Sequence, residues 1–292
     1  MLESRHSEFA SKGVGEQTIM RWKDLRQSDN VEDRRGGGGR LALGGGGLGI
    51  LVLAAAIYLC GGDPSALLQN QPAQSVPAPG PAANSAAPVD ENQKFAGAIM
   101  GSLEDYWKGT LPQQARIQLR TAKLQLFSGQ VSSACGYASA ATGPFYCPGD
   151  HKLYLDFDFF NELKREFKAP GDFAQAYVIA HEYGHHIQNL LGTMDKVQRA
   201  GNNNQLSVAL ELQADCYAGM WANTVAKQGR LEAGDPEEAI RAAAAVGDDM
   251  IQKRTQGYVV PESFTHGSAQ QRMQFFAKGM QSGSMQQCQT FR

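Results

Sequence analysis

Residues 180–192 read AHEYGHHIQNLLG, and the rest of the sequence is best understood from this stretch. His181, Glu182 and His185 form the pattern HExxH. On a helix, two histidines four residues apart lie one above the other on a single face and can bind one metal ion, with the glutamate beside them. The stretch therefore predicts a helix that presents a zinc site of the hydrolytic type.

HExxH needs a third ligand, because a catalytic zinc ion usually takes three ligands from the protein and keeps a fourth position open. The longer pattern HExxHxxGxxH supplies a third histidine, but Leu191 stands at that position and Gln188 at the glycine, so that class is excluded. A second helix, expected over residues 204–228, carries Glu211 and Asp215 on one face. Glu211 is the candidate third ligand, and Asp215 can hold the outer nitrogen of a ligating histidine.

Two alternatives stay open at this point. Glu211 and Asp215 could form an ordinary solvated helix face, in which case Asp195, just after the motif helix, is the substitute ligand. His186 points about 100° away from the ligand face and is expected to be structural.

The composition divides the 292-residue chain into unlike parts. Residues 1–40 are polar and glycine-rich and are expected to be disordered, and residues 61–91 form a linker rich in proline and alanine. A compact domain is expected over residues 92–292. Strands within 123–137 and 145–157, followed by several helices, predict an α+β domain with a small β-sheet.

Residues 41–60 form an uncharged stretch of the length that crosses a bilayer as one helix. Three arginines lie just before it, so the positive-inside rule places the N-terminus in the cytoplasm and the domain outside. A cleaved signal peptide is the alternative. Met20, followed by Arg21, is a second candidate for the true start of the chain.

The cysteine pattern fits an exported domain. No CxxC pair occurs among the five cysteines, which argues against a thiolate zinc site. If the domain lies outside the cytoplasm, Cys135 can pair with Cys147 and Cys216 with Cys288. The alternative is a set of buried free thiols in a cytosolic protein.

The charge distribution excludes one class of partner. The formal net charge is only -2, and acidic and basic residues are spread among each other. Nothing in this pattern resembles a nucleic-acid footprint or a surface for an anionic partner. The sequence carries no signal for an oligomeric state.

Five segments carry a resemblance to one family. They are residues 30–36 (NVEDRRG), 143–150 (GPFYCPGD), 171–192 (GDFAQAYVIAHEYGHHIQNLLG), 211–219 (ELQADCYAG) and 263–272 (SFTHGSAQQR). HExxH with a following ExxAD helix is similar to the glutamate-ligand zinc peptidases. The five segments together resemble the bacterial neutral zinc metallopeptidase family.

The resemblance implies a zincin-like fold that binds one zinc ion through His181, His185 and Glu211. It implies that Glu182 is the general base and that Asp215 supports a ligand. A tetrahedral oxyanion needs a second donor besides zinc, and the candidates are His266 and Arg272, six residues apart in THGSAQQR. The strand around Tyr154 is a candidate edge for a peptide substrate.

These features together predict a peptidase anchored in the bacterial inner membrane by a single helix, with its catalytic domain on the periplasmic side. The expected partner is a peptide or protein substrate. The alternative function is a zinc-stabilised envelope protein that binds a partner without catalysis. Cleavage that depends on Glu182 distinguishes the two.

Overall fold

The structure is a computed structural model, and it describes residues 20–35, 90–139, 143–165, 171–201 and 203–291. Its strands are β1 (Val31–Asp33), β2 (Lys123–Phe127), β3 (Gln130–Ser133), β4 (Gly136–Ser139), β5 (Phe145–Cys147) and β6 (Lys152–Asp156). Its α-helices are α1 (Glu91–Gln114), α2 (Asp158–Arg165), α3 (Asp172–Leu190), α4 (Thr193–Arg199), α5 (Asn204–Lys227), α6 (Asp235–Ala245), α7 (Asp248–Thr255) and α8 (Ala269–Ser282). The expected combination of a small sheet with several helices is confirmed.

The main sheet has the strand order β1-β2-β6-β5, with β5 antiparallel to β6 and the other pairs parallel. Tyr154 lies in β6, which pairs on one side with β2 and on the other with β5. The expectation that the strand of Tyr154 forms a sheet edge is therefore wrong, because both of its edges are already paired. Among the described residues, β5 is the edge strand on that side of the sheet.

The N-terminal segment 20–35 is ordered, which corrects the expectation that all of residues 1–40 are disordered. Met20 is 1% exposed, and Trp22 packs edge-on against Phe95 of α1. The buried carboxylate of Glu104 accepts hydrogen bonds from Ser28, at 2.6 Å, and from two further side chains of the segment. The composition of this segment predicted disorder because the residues that hold the segment lie far along the chain and leave no signal in its own sequence.

One glycine of α1 makes this packing possible. A Cβ atom on Gly101 would lie 2.1 Å from the backbone oxygen of Arg26, so a larger residue would push the segment away. Glu32 in β1 then forms ion pairs with Lys123 at 2.7 Å and with Lys152 at 2.8 Å. The segment is thus fixed to both the helix and the sheet.

The predicted membrane helix, residues 41–60, and the predicted linker lie outside the described residues. The residues that the structure describes contain no helix with the length and apolar character to span a bilayer. The expected single-pass arrangement with a cytoplasmic N-terminus therefore stays a prediction.

The helices pack around α5, which contacts α3 on one side and α8 on another. The cap signal at Asp235 and Pro236 predicts one helix that continues through Ile251, but α6 ends at Ala245 and α7 begins at Asp248. Gly247 lies between them, and a Cβ atom there would be 2.3 Å from the backbone nitrogen of Ala269. The break lets the start of α8 approach closely, because a continuous helix would leave no room for it.

Both expected disulfides are present. Cys135 pairs with Cys147, and Cys216 pairs with Cys288 across 72 residues of sequence. The first closes the loop that joins β4 to β5, and the second joins α5 to the C-terminal tail. The alternative of buried free thiols is therefore wrong for these four residues.

Candidate metal centre

The motif residues meet where α3 crosses α5. Helix α3 supplies His181, Glu182 and His185, and α5 supplies Glu211. The two backbones come close because Gly184 faces α5, where a Cβ atom would lie 3.0 Å from the backbone oxygen of Ala214. This contact explains why a glycine inside the motif matters, since a side chain there would push Glu211 away from the two histidines.

The three candidate ligands are arranged as a zinc ion requires. Oε2 of Glu211 lies 3.1 Å from Nε2 of His181, and its Oε1 lies 3.4 Å from Nε2 of His185. A tetrahedral site with bonds of about 2.0–2.1 Å separates its ligand atoms by roughly 3.3 Å. One donor atom from each of the three residues lies within 4.8 Å of the others. The donor set and its spacing therefore fit zinc.

Asp215 holds the outer nitrogen of His181. Its Oδ1 lies 2.8 Å from Nδ1 of His181 and accepts a hydrogen bond from the hydroxyl of Tyr177 at 2.5 Å. Burial alone would raise the pKa of the Asp215 carboxyl, but the positive charges of Arg272 and a protonated His181 outweigh it and hold that pKa below its ordinary value. The ionised carboxylate orients the ring of His181, as is usual for a metal-ligating histidine.

The outer nitrogen of His185 is held by a chain of amides. Its Nδ1 lies 2.8 Å from Oε1 of Gln188, whose amide group donates to Oε1 of Gln213 at 3.1 Å. The amide of Gln213 in turn donates to the backbone oxygen of Cys288 at 3.2 Å. Because each amide has one acceptor and one donor end, this chain directs the Nδ1 proton of His185 toward Gln188 and leaves Nε2 for a metal.

Arg272 forms an ion pair with Asp215 and also lines the cavity beside the candidate ligands, so its expected role as an oxyanion donor stays a prediction. Its Nε lies 2.8 Å from Oδ2 of Asp215 and its Nη2 lies 2.9 Å from Oδ1, so the two side chains form a bidentate ion pair. The arginine is only 4% exposed. It positions Asp215, and through it His181, because its guanidinium is engaged by that buried carboxylate. The residues His181, His185, Glu211, Asp215 and Arg272 are called the metal-site cluster below.

Glu182 faces a cavity of about 550 Å³ beside the candidate ligands. Among the described residues, its carboxylate takes no hydrogen bond. Burial raises the pKa of Glu182, opposed by the charges of His185 and His181. Apolar side chains line much of the remaining wall, including Phe145, Phe159, Met194, Leu210, Val246 and Ile251. The cavity can accept an elongated substrate with an apolar side chain.

His266 lies at the same cavity but on a different element, the loop between α7 and α8. Its Nδ1 lies 3.1 Å from Oδ1 of Asp248, whose other oxygen accepts the backbone N–H of His266 at 2.6 Å. The hydrogen bond with Asp248 raises the pKa of His266. The side chain is 51% exposed, so this histidine can donate a hydrogen bond to a molecule in the cavity.

Two further sequence-based assignments concern residues outside the ligand set. Asp195 is largely exposed on α4 and lies 3.9 Å from Arg199, so the structure does not bring it to the histidines. His186 is buried on the opposite face of α3, with Nε2 at 2.6 Å from the backbone oxygen of Arg120. Burial lowers the pKa of His186 to about 4, which keeps its ring neutral.

Sequence reasoning missed three residues of this site. Gln188 was used only to exclude a longer motif, although its position three residues after His185 places both on one helix face. Gln213 and Asp248 carry no local signal, because their partners come from other elements.

Comparisons with known proteins agree with this arrangement. A family model described as "Putative neutral zinc metallopeptidase" matches residues 20–291. The Uncharacterized protein YpfJ of Escherichia coli strain K12 is 43% identical over 93% of this chain and 99% of its own length. The Uncharacterized protein Rv2575 of Mycobacterium tuberculosis is 44% identical over 80% of this chain and 84% of its own. No solved structure matches. The chain belongs to the family of neutral zinc metallopeptidases that this model describes.

Proposed function

We propose that the protein is a zinc-dependent peptidase in which Glu182 is the general base. The observation that carries the proposal is the grouping of His181, His185 and Glu211, in which the glutamate oxygens lie 3.1 and 3.4 Å from the two histidine nitrogens. Beside them Glu182, which takes no hydrogen bond from the described residues, lines a cavity. The zincin-like fold, which the resemblance implies, is part of what we propose.

The chemistry follows from the positions of the side chains. Zinc supplies Lewis acidity, which lowers the pKa of a water molecule toward about 7. Glu182 accepts the proton of the attacking water and passes it to the departing amine. His266, held by Asp248, donates a hydrogen bond to the oxyanion that develops on the carbonyl carbon. Its pKa, raised by Asp248, favours the protonated donor form.

The substrate is proposed to be a peptide that lies along β5. Gly143, Pro144, Phe145 and Tyr146 line the same cavity as the candidate ligands. A peptide can add to a free strand edge through backbone hydrogen bonds. The two disulfides support a location outside the cytoplasm, because such bonds persist in oxidising compartments.

The decisive experiment compares the full-length protein with its Glu182→Gln variant on a broad peptide library. We expect cleavage to fall about 10²–10⁴-fold while the zinc content is unchanged, because the amide cannot accept a proton. Asp195→Asn is the matched control and should leave both cleavage and zinc content unchanged. Cleavage that survives Glu182→Gln would contradict the mechanism. A zinc-loaded protein that cleaves nothing would favour the alternative of a non-catalytic binding protein.

A further inference from the structure

Three carboxylates converge at the N-terminal ends of α3 and α6, about two turns of α3 before the first metal ligand. Asp172 and Asp235 are the first residues of these two helices, and Glu238 follows in the first turn of α6. Each offers an oxygen that lies within 4.8 Å of those of the other two. An acidic residue in the first turn of a helix is common, because the N-terminal end of a helix is partly positive. This preference explains each acidic residue by itself, but it does not explain why three of them lie together. These three residues are called the amino-terminal cluster.

The cluster lacks part of the compensation that buried carboxylates need. Glu238 and Asp235 each accept one backbone N–H group, at 3.2 and 2.8 Å. However, no described group donates a hydrogen bond to Oδ2 of Asp172 or to Oδ1 of Asp235, which are both buried, and Asp235 as a whole is 1% exposed. A buried polar atom without a partner is costly, and a buried charge without one is costlier.

The pKa values of the cluster reflect the same deficit. Burial, together with the charge of Asp235, raises the pKa of Asp172 to about 6. Burial, together with the charges of Asp172 and Asp235, raises the pKa of Glu238 to about 7. Three neighbouring carboxylates cannot all ionise unless a positive group lies among them.

The charge of Arg241 lowers the pKa of Glu238, but by less than burial and the two aspartates raise it. A second group that can supply a positive charge is the backbone nitrogen of Met20. It lies 3.2 Å from Oδ1 of Asp172, and Met20 is 1% exposed. The residue is fixed in place, since the next N–H group, that of Arg21, donates to the backbone oxygen of Arg230 at 2.8 Å. As part of a peptide bond this nitrogen carries one hydrogen and no charge. As a free amino group it carries three N–H donors and a positive charge.

We propose that the functional chain begins at Met20 and that the amino-terminal cluster binds its free α-ammonium group. The match to the family model also begins at residue 20. The new terminus arises either by initiation at Met20 or by hydrolysis of the preceding peptide bond, in which water yields a carboxylate on Ile19 and the ammonium on Met20. Either route supplies the missing charge at the first residue of the helix that carries HExxH.

A divalent cation is the competing occupant. Carboxylate oxygens are suitable ligands for calcium, but a calcium site takes six to eight of them. Two helix N-termini also point their positive ends toward the cluster, which disfavours a doubly charged ion more than a single ammonium. The experiment below includes an arm that detects this outcome.

The test compares two purified proteins, one whose chain starts at Met1 and one whose chain starts at Met20, each verified by intact mass. We expect the chain that starts at Met20 to have a higher Tm, by on the order of 5 °C. Asp172→Asn should abolish the difference, because it removes the carboxylate nearest the amino group. Glu237→Gln, which neutralises an exposed neighbour in the same first turn, should preserve it. Equal Tm values for the two unsubstituted chains would overturn the proposal.

Two further measurements test the proposal without relying on the stability of a variant alone. The α-amino group of Met20 should react at least ten times more slowly with an acylating reagent at pH 7 than the same group in the Asp172→Asn variant, and equal rates would contradict its burial among carboxylates. Calcium added to the zinc-loaded protein should leave both Tm values unchanged. A calcium-dependent rise that is equal in both chains and absent in Asp235→Asn would identify a metal site and overturn the proposal.

Discussion

Helix α3 carries two buried clusters of charge, and they differ in how the charges are balanced. In the metal-site cluster both oxygens of Asp215 meet positive or hydrogen-bonding partners, which come from α3 and α8. In the amino-terminal cluster three acids converge, and no described group donates a hydrogen bond to two of their buried oxygens. The comparison indicates that buried acids on this helix can all stay ionised only if enough positive charge lies beside them. The charge of Arg241 leaves the pKa of Glu238 at about 7, so a further positive group is expected.

The largest effect is expected from removing the counter-charge of the balanced cluster. Arg272→Met leaves the ionised, fully buried Asp215 without its bidentate partner. Loss of one partner from a buried ion pair lowers the free energy of unfolding by about 3–5 kcal/mol. Denaturant unfolding of the zinc-free protein measures this change. If the free energy of unfolding falls by less than about 1 kcal/mol, Arg272 is not the main counter-charge of Asp215, and the contrast between the two clusters is wrong.

A second substitution separates metal binding from stability. Asp215→Asn weakens the hold on Nδ1 of His181, and we expect zinc affinity to fall about 10–100-fold. Competition with a chelator of known affinity measures it. Asp195→Asn is the control and should not change zinc affinity. If it did so as strongly as Asp215→Asn, Asp195 and not Glu211 would be the third ligand.

The two clusters should respond to pH with opposite signs in a chain that starts at Met1. The pKa of Asp172 is raised from 3.8 to about 6, so the folded state binds more protons than the unfolded state between these values. The free energy of unfolding contributed by Asp172 therefore falls as pH rises through this window. The pKa of Asp215 is lowered, so its contribution is present above about pH 4 and is lost as pH falls.

Thermal unfolding of the Asp172→Asn and Asp215→Asn variants between pH 4 and pH 7 measures these signs. In the chain that starts at Met1, Asp172→Asn should gain stability relative to the unsubstituted protein as pH rises. In the chain that starts at Met20, the same substitution should lose stability. If Asp172→Asn changes the stability in the same direction in both chains, the amino group of Met20 is not the counter-charge of the amino-terminal cluster.

The smallest effect is expected at an ion cluster near the surface, which sets the scale for the buried ones. Hydrogen bonds from Lys123 and Lys152 lower the pKa of Glu32 to about 2. Its contribution to stability is present above the ordinary pKa of 4.5 and is lost as pH falls toward 2. Glu32→Gln should lower the free energy of unfolding by less than about 1 kcal/mol at pH 7. The Tm difference should vanish near pH 2, and a difference that persists there would show that packing, not charge, fixes β1.

The features that the sequence predicted are those encoded by local spacing. His181 and His185 share a helix face because they are four residues apart, and the same rule relates Glu211 to Asp215. The paired cysteines were also inferred correctly, from the expected location of the domain outside the cytoplasm and the absence of a CxxC pair. The prediction of a small sheet with helices followed from the period of the apolar residues.

The features that the sequence did not predict depend on contacts between distant residues. Arg272 lies 57 residues from Asp215, and no local pattern indicates their pairing. The segment from Met20 to Arg35 has the composition of a disordered chain, yet Trp22 and Ser28 find partners on α1, more than seventy residues later. A polar composition indicates that a segment cannot form a core by itself, but it does not reveal whether another part of the protein offers a surface that binds the segment.

The disulfide between Cys216 and Cys288 has a consequence for when the metal can be held. Cys288 provides the backbone oxygen at which the amide chain from His185 ends. While both cysteines are thiols, the C-terminal tail is held by hydrogen bonds such as that from the Met285 N–H group to Gln114, at 2.8 Å, and we expect the position of the Cys288 oxygen to be less firmly fixed. We therefore expect the protein to bind zinc more tightly after the disulfide has formed. Zinc binding would then depend on whether the surrounding compartment is oxidising.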